Sequence, residues 1–414
     1  MRAVVFHPGT QHSWQTALAL QQLGRLAWYG TSIFYDPDRW PYRIERYLPG
    51  RLRERVHGEF LRFNHPGLDR SLVRTGGSAE WLERIANRAR LRKLARRIDT
   101  YGNRRFVNVI SGGLNTPERL ALWGFNGSSL ETFEHAATLG HLRILDRTIG
   151  DARAYNASMA GLLDQFGEWF LPNERAFPDS TIASDQAEYE LANCILVGSE
   201  FAAATVREHG GEAVEGKVRV LPYCFDEALF SKIPSPAPVA RDQPLKMLFI
   251  GQANPRKGVH HLLDAISRIP VADATLTMVG DLRIPQEVFA RHADRVKYLP
   301  TVPRAAIPAI MADHHVLVFP SYFEGSALSL LEALASGMAI IQTRASGNGV
   351  TPNTGILLEQ PDTDALHQAM LYAVANRDRV DAWRSAAQSE AKRYSFACYR
   401  ENVGALLDEL SRPS

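Results

Sequence analysis

Residues 319–337 read Phe-Pro-Ser-Tyr-Phe-Glu-Gly-Ser-Ala-Leu-Ser-Leu-Leu-Glu-Ala-Leu-Ala-Ser-Gly, and this stretch predicts a strand end, a loop and a helix in direct succession. The apolar run that ends at Phe319 is typical of a buried strand, and the proline after it breaks the strand. Leucines at helical spacing follow, and Gly337 suits the position just past a helix end. We therefore expect Glu324 in the strand-to-helix loop and Glu332 in the first turn of the helix.

The start of the predicted helix is a candidate anion site. Several backbone N–H groups between Glu324 and Glu332 have no helical partner, and the helix dipole favours negative charge there. Two carboxylates beside such a site suit a ligand that carries both phosphates and hydroxyl groups. Two alternatives need no ligand. Glu324 can be a solvated turn residue, and Ser329 with Glu332 has the spacing of a capping box.

The pattern Pro-Ser-x-x-Glu-Gly-x-x-Leu-x-x-Leu-Glu-Ala-x-Ala-x-Gly resembles the signature of the family 4 retaining glycosyltransferases, in which seven residues separate two glutamates. The match covers 18 positions in register, which favours the functional reading over the two alternatives. The resemblance implies an α/β fold of the GT-B type, with two Rossmann-like domains facing across a cleft. It also implies that Glu332 binds ribose hydroxyls and that Glu324 contacts hydroxyls of the transferred sugar.

A second motif is the loop Gly-Gln-Ala-Asn-Pro-Arg-Lys-Gly at 251–258, between a predicted strand at 246–250 and an amphipathic helix. Cations beside a helix N-terminus suit a diphosphate, although a solvated charged turn can have the same sequence. The family has Gly-Arg-x(4)-Lys-Gly here, with both cations on the leaving diphosphate. Lys257 fits that pattern, Gln252 stands in place of the arginine, and Arg256 is the neighbouring cation that can compensate.

The resemblance implies a hexosyl-type transfer from a nucleoside diphosphate sugar with retention of configuration. Glu324, Lys257 and Arg256 would be the catalytic residues, and the donor phosphate is the hypothetical acceptor of the proton. No metal or other cofactor is expected, because cations and helix N-termini would stabilise the departing diphosphate. Besides Glu332, the expected donor-binding residues are Gly251, Gln252, Gly280, Val302, Gly325, Ser326, Ala327, Leu328 and Ser329.

The acceptor side of the site is expected in the N-terminal half. A short strand, a loop and a helix open the chain as in Rossmann folds, and where the family usually has two glycines this loop has only Gly9. His12 in the same loop is either a bystander or lies near the donor phosphate or the acceptor. After the strand at 143–146 the family often has a histidine. This chain has none there, and Asp151 is the nearby group that could accept a proton or bind an acceptor hydroxyl, with Asp146 and Arg147 as alternatives.

The length of 414 residues allows two full domains. We expect an N-terminal domain at 1–230, a Pro- and Ala-rich linker at 231–244, a donor domain at 245–390 and a C-terminal helix at 391–414 that crosses back to the first domain. Within the first domain, Phe-Val-Asn-Val-Ile at 106–110 predicts a strand. No apolar run approaches a membrane span, and the start of the chain is predicted to be a first strand rather than a signal peptide. The three separated cysteines fit the cytoplasm.

Positive charge is concentrated in residues 39–105, which carry 18 Lys and Arg against 7 Asp and Glu. This net +11 leaves −9 for the rest of the chain, given a total of +2. The simplest interpretation is a set of solvated, arginine-rich helices. A peripheral contact with an anionic membrane, on the inner face of the cytoplasmic membrane, is the alternative that the family favours. Nucleic acid is not expected as a partner, because no nucleic-acid-binding signature accompanies the aromatic residues of this region.

Several residue pairs resemble metal ligands. Asp36-Pro-Asp38 and Asp362-Thr-Asp364 have the DxD spacing, but their contexts predict a turn and a helix cap. His260-His261 and His314-His315 lie on predicted regular elements, where adjacent side chains are expected to diverge. Neither kind of pair predicts a metal site.

The resemblance implies a saccharide or glycolipid acceptor, as in polysaccharide assembly. The main alternative is a catalytically degenerate relative that acts as a sugar-binding or partner subunit, which the substitution at Gln252 and the reduced glycine loop favour. The intact Glu324, Lys257 and Glu332 argue against it. A glycoside hydrolase with paired carboxylates is a weaker alternative, since it has no use for phosphate-binding loops.

Overall fold

A computed structural model of the chain describes residues 1–9, 12–61, 63–65, 67–76, 106–172, 174 and 176–412. Its strands form two sheets of seven and six strands, and helices lie between successive strands. The strands of the second sheet all pair in parallel, as do β1 to β5 of the first sheet. The predicted α/β fold with two Rossmann-like sheets is confirmed.

The first sheet has the strand order β3-β2-β1-β4-β5-β6-β7. Its strands are Ala3–His7 (β1), Leu26–Thr31 (β2), Val73–Thr75 (β3), Ala121–Phe125 (β4), Leu142–Arg147 (β5), Cys194–Val197 (β6) and Val218–Val220 (β7). β1 and β4 are buried along their whole length, as expected of central strands covered on both faces.

The second sheet has the strand order β10-β9-β8-β11-β12-β13. Its strands are Leu245–Ile250 (β8), Ala274–Val279 (β9), Val296–Leu299 (β10), Val316–Phe319 (β11), Ala339–Thr343 (β12) and Gly355–Leu358 (β13). The apolar run that predicted a buried strand is β11, and all four of its residues are buried.

The helices named below are numbered along the chain. They are Ser13–Gln22 (α1), Gly50–Leu61 (α2), Leu130–Thr138 (α3), Ala152–Phe166 (α4), Asp179–Leu191 (α5), Glu200–His209 (α6), Glu227–Phe230 (α7), Val259–Ser267 (α8), Gln286–Ala290 (α9), Ile307–Ala312 (α10), Leu328–Ala335 (α11), Thr363–Ala375 (α12), Arg377–Ala391 (α13) and Phe396–Ser411 (α14). Short 3₁₀ turns include Tyr42–Tyr47, Pro255–Lys257 and Arg304–Ala306. None of the helices in these described ranges is long and apolar enough to cross a membrane.

The strand predicted at 106–110 is wrong. Residues 106–112 are helical, and within them Phe106 and Ile110 are buried while Asn108 is exposed. Burial four residues apart is the periodicity of a helix face, whereas a half-buried strand would bury every second residue. The β-branched residues that suggested a strand give way here to tertiary packing, since Ile110 fits against Gly30 in β2.

Both sheets have a topological switch point, where the strand order reverses. In the first sheet it lies between β1 and β4, and in the second between β8 and β11. Loops at the carboxyl ends of the two switch-point strands diverge to opposite sides of the sheet and leave a crevice, where open α/β folds bind ligands. The 251–258 and 320–327 segments are the two loops at the switch point of the second sheet.

Contacts group the chain into two compact units. One contains Met1–Asp146, Ala183–Leu196 and Arg400–Ser414, and the other contains Arg147–Ile182 and Val197–Tyr399. In the first unit, Arg25 forms an ion pair with Asp408 of α14 at 2.7 Å. Residues 231–244 contain neither helix nor strand. The expected domain boundaries remain a prediction.

Candidate functional site

The two loops at the switch point of the second sheet are bound to each other. The Tyr322 N–H donates to the Arg256 carbonyl at 2.8 Å, and the Ser321 hydroxyl oxygen lies 3.2 Å from the same carbonyl oxygen. Gly258 has φ 67°, and a Cβ there would collide with the carbonyl oxygen of Pro320. Only glycine therefore allows the two loops to approach this closely without strain.

Three groups from these loops converge on one carboxylate oxygen of Glu324. The Lys257 ammonium lies 2.6 Å from Oε1, the Arg256 guanidinium lies 2.7 Å from it, and the Ser321 hydroxyl donates to it at 2.9 Å. Arg256 also donates to the carbonyl of Phe323. All three charged side chains are mostly buried, with exposed fractions of 12% for Glu324 and Lys257 and 16% for Arg256. The structure thus brings together the three predicted catalytic residues.

Burial and charge act in opposite directions on this cluster. Burial raises the pKa of the Glu324 carboxyl, but the charges of Lys257 and Arg256 outweigh it and hold that pKa below its ordinary value. Burial lowers the pKa of the Lys257 ammonium below its ordinary value, and Glu324 opposes this shift. The Glu324 carboxylate is therefore ionised. It forms ion pairs with Lys257 and Arg256 at the carboxyl ends of β8 and β11.

The position of Lys257 is fixed by its own loop. The Asn254 side chain caps the 3₁₀ turn by accepting a hydrogen bond from the Lys257 N–H at 3.1 Å. The Lys257 ammonium lies 4.5 Å from the centre of the Phe319 ring, at the end of β11, which is a cation–π contact. The sequence suggested a solvated charged turn as the alternative, and the burial of Lys257 excludes it.

The N-terminus of α11 is the candidate phosphate site. Gly325, Ser326, Ala327, Leu328 and Ser329 form the loop and first turn here, and the Ala327 N–H is already bound to the Ser346 carbonyl. The Ser326 hydroxyl is buried and has no hydrogen-bond partner within the described part of the chain. A buried hydroxyl beside a helix N-terminus can donate to a bound anion.

Glu332 is not the capping residue that its spacing allowed. The N-cap of α11 is Ala327, no side chain caps this helix, and Glu332 lies more than one turn inside it. Its buried carboxylate instead forms an ion pair with Arg304, whose side chain is 55% exposed. Burial raises the pKa of Glu332 above its ordinary value, although Arg304 opposes the shift. A buried carboxylate with one exposed partner can exchange that partner for ligand hydroxyls.

The remaining donor-side residues surround these loops. Gly251 follows β8, and Gly280 follows β9 and receives a hydrogen bond from the Tyr298 hydroxyl at 2.8 Å. Gly280 has φ 139°, and a Cβ there would collide with the Gly251 carbonyl oxygen. Gln252 is exposed, and Val302 lies in the irregular segment between β10 and the 3₁₀ turn that begins at Arg304. The structure places all of them in the second unit, on the loops that follow its strands.

The proposed acceptor-side residues of the first unit lie at the switch point of its sheet. The Gly9 N–H donates to His7 Nδ1 at 2.9 Å, and His12 Nε2 lies 3.7 Å from the Asp146 carboxylate. Trp123 of β4 donates to the same carboxylate oxygen at 3.1 Å. Burial lowers the pKa of His7 to about 4, so this histidine is neutral near pH 7. His12 lies near the Asp146 carboxylate, and its role remains a prediction.

Asp151 and Arg147 are occupied within the second unit. Asp151 caps α4 by accepting from the Arg153 N–H at 2.8 Å and also forms an ion pair with the Arg153 side chain at 2.9 Å. Burial raises the pKa of Asp151, but the hydrogen bonds from Arg153 outweigh it and lower that pKa overall. Arg147 donates to the Gly150 carbonyl at 3.0 Å. These contacts stabilise the start of α4. The role of Asp151 and Arg147 in binding the sugar acceptor remains a prediction.

The metal-like pairs of the sequence have structural roles. Asp36 accepts the Asp38 N–H at 3.0 Å in a turn, and Asp362 caps α12, as predicted. The expected divergence of His260 and His261 is wrong, because their ring centres lie 4.2 Å apart. Neighbouring aromatic rings pack the two imidazoles together, and His261 lies 2.6 Å from the hydroxyls of both Thr363 and Tyr322.

Sequence reasoning missed three residues of the site. Ser321 binds Glu324, Arg304 binds Glu332, and Asn254 orients Lys257. Asn254 could have been found, because an Asn-Pro pair is a turn signal. Arg304 lies 28 residues before its partner, and no local pattern links the two.

The part of the chain that forms the second sheet matches a family of known proteins. Residues 244–376 match the family described as "Glycosyl transferases group 1". The chain is 26% identical over 173 residues to the O-antigen chain mannosyltransferase B of Escherichia coli, which covers 38% of this chain and 44% of that protein. It is also 26% identical over 171 residues to an uncharacterized glycosyltransferase of Methanocaldococcus jannaschii. This match covers 40% of this chain and 48% of that protein. The chain thus spans less than half the length of these relatives.

Solved structures share the whole fold at low identity. HepE of Anabaena in complex with UDP has a TM-score of 0.61 and 15% identity, and the match covers 99% of this chain and 100% of that one. Sucrose-phosphate synthase of Thermosynechococcus elongatus has a TM-score of 0.64 and 16% identity, with 99% of both chains covered. These likenesses show the fold, which is that of GT-B glycosyltransferases. The family match is a separate finding and is confined to residues 244–376, which are similar to a glycosyl transferases group 1 domain.

Proposed function

We propose that this protein is a glycosyltransferase that moves a sugar from a nucleoside diphosphate sugar to a saccharide or lipid-linked acceptor. The observation that carries the proposal is the pair of cations on the buried Glu324, at the switch point of a sheet within the glycosyl transferases group 1 domain. UDP in the related HepE structure and the mannosyltransferase activity in the name of a relative support a sugar nucleotide and a saccharide acceptor.

The donor would lie across the loops of the second sheet. Glu332 would bind the ribose hydroxyls after releasing Arg304, and Val302 would lie near the base. The diphosphate would bind between the α11 N-terminus and the two cations, where the Ser326 hydroxyl is available as a donor. Charge-assisted hydrogen bonds of this kind are about twice as strong as neutral ones.

The chemistry requires stabilisation of a leaving diphosphate. As the bond between the anomeric carbon and the phosphate oxygen breaks, negative charge grows on that oxygen, and Lys257 with Arg256 would stabilise it in a largely dry site. The proton of the acceptor hydroxyl would pass to the donor phosphate. We further propose that the configuration is retained, as the resemblance to the retaining glycosyltransferases implies. We also propose that no metal takes part, because Lys257 and Arg256 would supply the positive charge that a leaving diphosphate requires.

Nucleotide binding is the direct test. In titration calorimetry with UDP, GDP, ADP and dTDP, we expect one nucleotide to bind, with an affinity that EDTA does not change. Glu332→Ala would remove the two charge-assisted hydrogen bonds that the proposal gives to the ribose hydroxyls. At about 1.5 kcal/mol for each hydrogen bond to a charged group, we expect the variant to bind that nucleotide roughly 100-fold more weakly.

A matched control variant distinguishes loss of the ribose contact from a general disturbance of the fold. Glu359→Ala removes an exposed carboxylate that pairs with Arg344 on the same sheet, and it should leave nucleotide affinity unchanged. Failure of every nucleotide to bind the wild type would overturn the enzyme proposal and favour a degenerate partner subunit. Loss of affinity on adding EDTA would overturn metal independence alone.

We also propose a peripheral contact with an anionic membrane through the described part of the basic region. Large apolar side chains are exposed there beside arginines, namely Trp40 at 66%, Ile44 at 41%, Tyr47 at 74%, Leu52 at 48% and Leu61 at 43%. Exposed aromatic and aliphatic groups with basic neighbours suit the membrane interface. Other aromatic residues of this region, Tyr42, Phe60 and Phe63, form a small core instead. Residues 62, 66 and 77–105, including Trp81, lie outside the described residues.

Vesicle sedimentation tests this contact. We expect binding to vesicles with anionic lipids and little binding to neutral ones, and salt should weaken it. Arg51, Arg53 and Arg55 are exposed on α2, and reversing all three to Glu should weaken binding at least about 100-fold, at about 1 kcal/mol per basic residue. The same reversal at the exposed Arg283, Arg291 and Arg379 is the control, and an equal effect of both triples would argue against a specific membrane face.

A further inference from the structure

A chain of side-chain hydrogen bonds ends at the loop that carries Glu324. It joins three elements of the second unit, namely Thr363 at the start of α12, His261 in α8 and Tyr322 in the 320–327 loop. His261 Nδ1 lies 2.6 Å from the Thr363 hydroxyl, and His261 Nε2 lies 2.6 Å from the Tyr322 hydroxyl. Both ring nitrogens are thus within hydrogen-bond distance of a hydroxyl, and the imidazole links the loop to the start of α12.

The imidazole of His261 is neutral and buried. Burial lowers the pKa of His261 to about 4, although the nearby Asp362 opposes the shift. Burial also raises the pKa of Tyr322 to about 12, so the phenol keeps its proton near pH 7. A neutral imidazole has one donor and one acceptor nitrogen, and a hydroxyl can take either role. His261 is 6% exposed, so the loss of either partner would leave a buried polar atom unsatisfied.

The neighbouring histidine differs from His261 in this respect. Both ring nitrogens of His260 are buried and have no hydrogen-bond partner among the residues that the structure describes. The ring packs instead against Phe166, with 4.2 Å between ring centres, and stacks on Tyr322 at 5.8 Å. His260 therefore contributes packing, and His261 is the histidine that forms a hydrogen bond with the loop.

Tyr322 connects this hydrogen bond to the cation cluster. Its N–H donates to the Arg256 carbonyl at 2.8 Å. The residue before it, Ser321, donates to Glu324, and the carbonyl of the residue after it, Phe323, accepts from the Arg256 guanidinium. A displacement of Tyr322 would therefore move both neighbours that hold Glu324 and Arg256 together.

We propose that His261 is a positioning residue, which acts through the Tyr322 hydroxyl to hold the 320–327 loop where Glu324 meets its two cations. Its effect on the ion pairs requires no reaction, whereas its effect on turnover rests on the proposed function. Supporting residues of this kind matter because a displacement of about 1 Å at a catalytic group can cost about 100-fold in rate. His261 itself contacts neither the cations nor the carboxylate in this role.

Two amide substitutions separate the two hydrogen bonds of His261. The amide of glutamine lies as many bonds from Cα as Nε2 does, and the amide of asparagine lies as many bonds from Cα as Nδ1 does. His261→Gln can therefore keep the bond to Tyr322, whereas His261→Asn can keep only the bond to Thr363. We expect the rate of nucleoside diphosphate release to stay within about threefold of the wild type for His261→Gln and to fall about 10- to 100-fold for His261→Asn. Nucleotide affinity should change by less than about threefold in both variants, because the loop position matters most for charge that develops in the transition state.

The ion pairs of Glu324 provide a readout without turnover. Glu324→Gln is added to the wild type, to His261→Gln and to His261→Asn, and chemical denaturation at pH 7 measures the loss of stability in each. In His261→Asn we expect Glu324→Gln to shift the unfolding equilibrium at least about tenfold less than in the other two backgrounds, because the displaced carboxylate would already have lost part of its ion pairs. In His261→Asn the contribution of Glu324 should also disappear at a higher pH, since the folded-state pKa would move up toward its ordinary value.

Tyr322→Phe tests the other end of the bond. It keeps the ring and removes only the hydroxyl, so it should reproduce the effects of His261→Asn, and it carries the same prediction if the His261 variants do not fold. In the Tyr322→Phe background, His261→Asn should lower turnover by no more than about a further twofold, because the bond that it breaks is already absent.

His314→Asn is the matched control. His314 is also a buried histidine of the second unit, with Nδ1 2.7 Å from the Ile310 carbonyl and Nε2 2.8 Å from the Thr277 hydroxyl. The substitution likewise keeps the bond at Nδ1 and loses the bond at Nε2, so it should lower stability but leave turnover and the effect of Glu324→Gln unchanged.

Three results would overturn the positioning role: equal turnover of His261→Gln and His261→Asn, an undiminished effect of Glu324→Gln in His261→Asn, or the same changes in His314→Asn. Nucleotide calorimetry on the same samples separates this role from the proposed function. Nucleotide binding together with any of the three results rejects only the positioning role. Absence of nucleotide binding to the wild type rejects the proposed function, and the stability measurements then decide whether His261 positions Glu324.

Discussion

Lys257→Ala is expected to lower the turnover number by about 100- to 1,000-fold, the usual effect of removing one preorganised group that stabilises a developing oxyanion. Lys257 is one of two cations within 2.7 Å of Glu324, and it is the one that the glycosyltransferase pattern requires. Arg256 remains in the variant, so some activity should persist. The measurement is the rate of nucleoside diphosphate release from the donor that calorimetry identifies.

The fold should tolerate this substitution, because Glu324 keeps Arg256 and Ser321 as partners. Thermal unfolding is therefore the companion measurement, and only a small shift is expected. Lys246→Ala is the matched control, since Lys246 pairs with Asp313 at 2.7 Å on the same sheet but at the surface. Turnover of Lys257→Ala within threefold of the wild type would remove this lysine from the catalytic site.

Glu324→Gln is expected to abolish turnover and to lower the free energy of unfolding by about 3–5 kcal/mol, the range for removal of one partner from a buried ion pair. The variant leaves two mostly buried cations, Lys257 and Arg256, without a counter-charge. The substitution is isosteric, so the loss reports charge rather than volume. Chemical denaturation at pH 7 measures it.

The stability loss should also depend on pH. The pKa of Glu324 is below its ordinary value in the folded protein, so the carboxylate stabilises the fold above the unfolded-state pKa of about 4.3 and loses this contribution as the pH falls through the folded-state pKa. The difference between wild type and Glu324→Gln should therefore shrink on acidification. Glu359→Gln, at an exposed pair with Arg344, should show almost no difference at either pH. A constant difference at all pH values would mean that the ionised carboxylate is not the source of the stability.

Much of the fold could be predicted because local patterns and tertiary structure agree. The buried run before Phe319 became β11, the apolar residues after Gly258 became α8, and Gly337 lies just past α11 with φ 69°. The helix at 106–112 could not be predicted, because packing decided it against the preference of its β-branched residues.

Parts of the site also could not be predicted, because its contacts join residues far apart in the chain. Arg256 and Ser321 meet at Glu324 only after β8 and β11 have paired at the switch point. The spacing of Ser329 and Glu332 allowed a cap, and the actual helix start at Leu328 excluded it. The start of a helix depends on the loop that precedes it. Before α11 this loop is held by two hydrogen bonds, from the Ala327 N–H to the Ser346 carbonyl and from the Ser199 hydroxyl to the Gly325 carbonyl.

The sequence by itself determined the class of this protein: an α/β chain with two glutamates separated by seven residues and a lysine loop after a strand. These features are local, since each is encoded within some 20 consecutive residues whose periodicity and turn chemistry act over short distances. The tertiary structure alone decided that Glu324 pairs with both cations, that Glu332 binds Arg304, and that α4 and Phe177 line a cavity that Arg256 also lines. Burial decides these contacts, because charges and apolar surfaces interact strongly only where the fold removes the water between them.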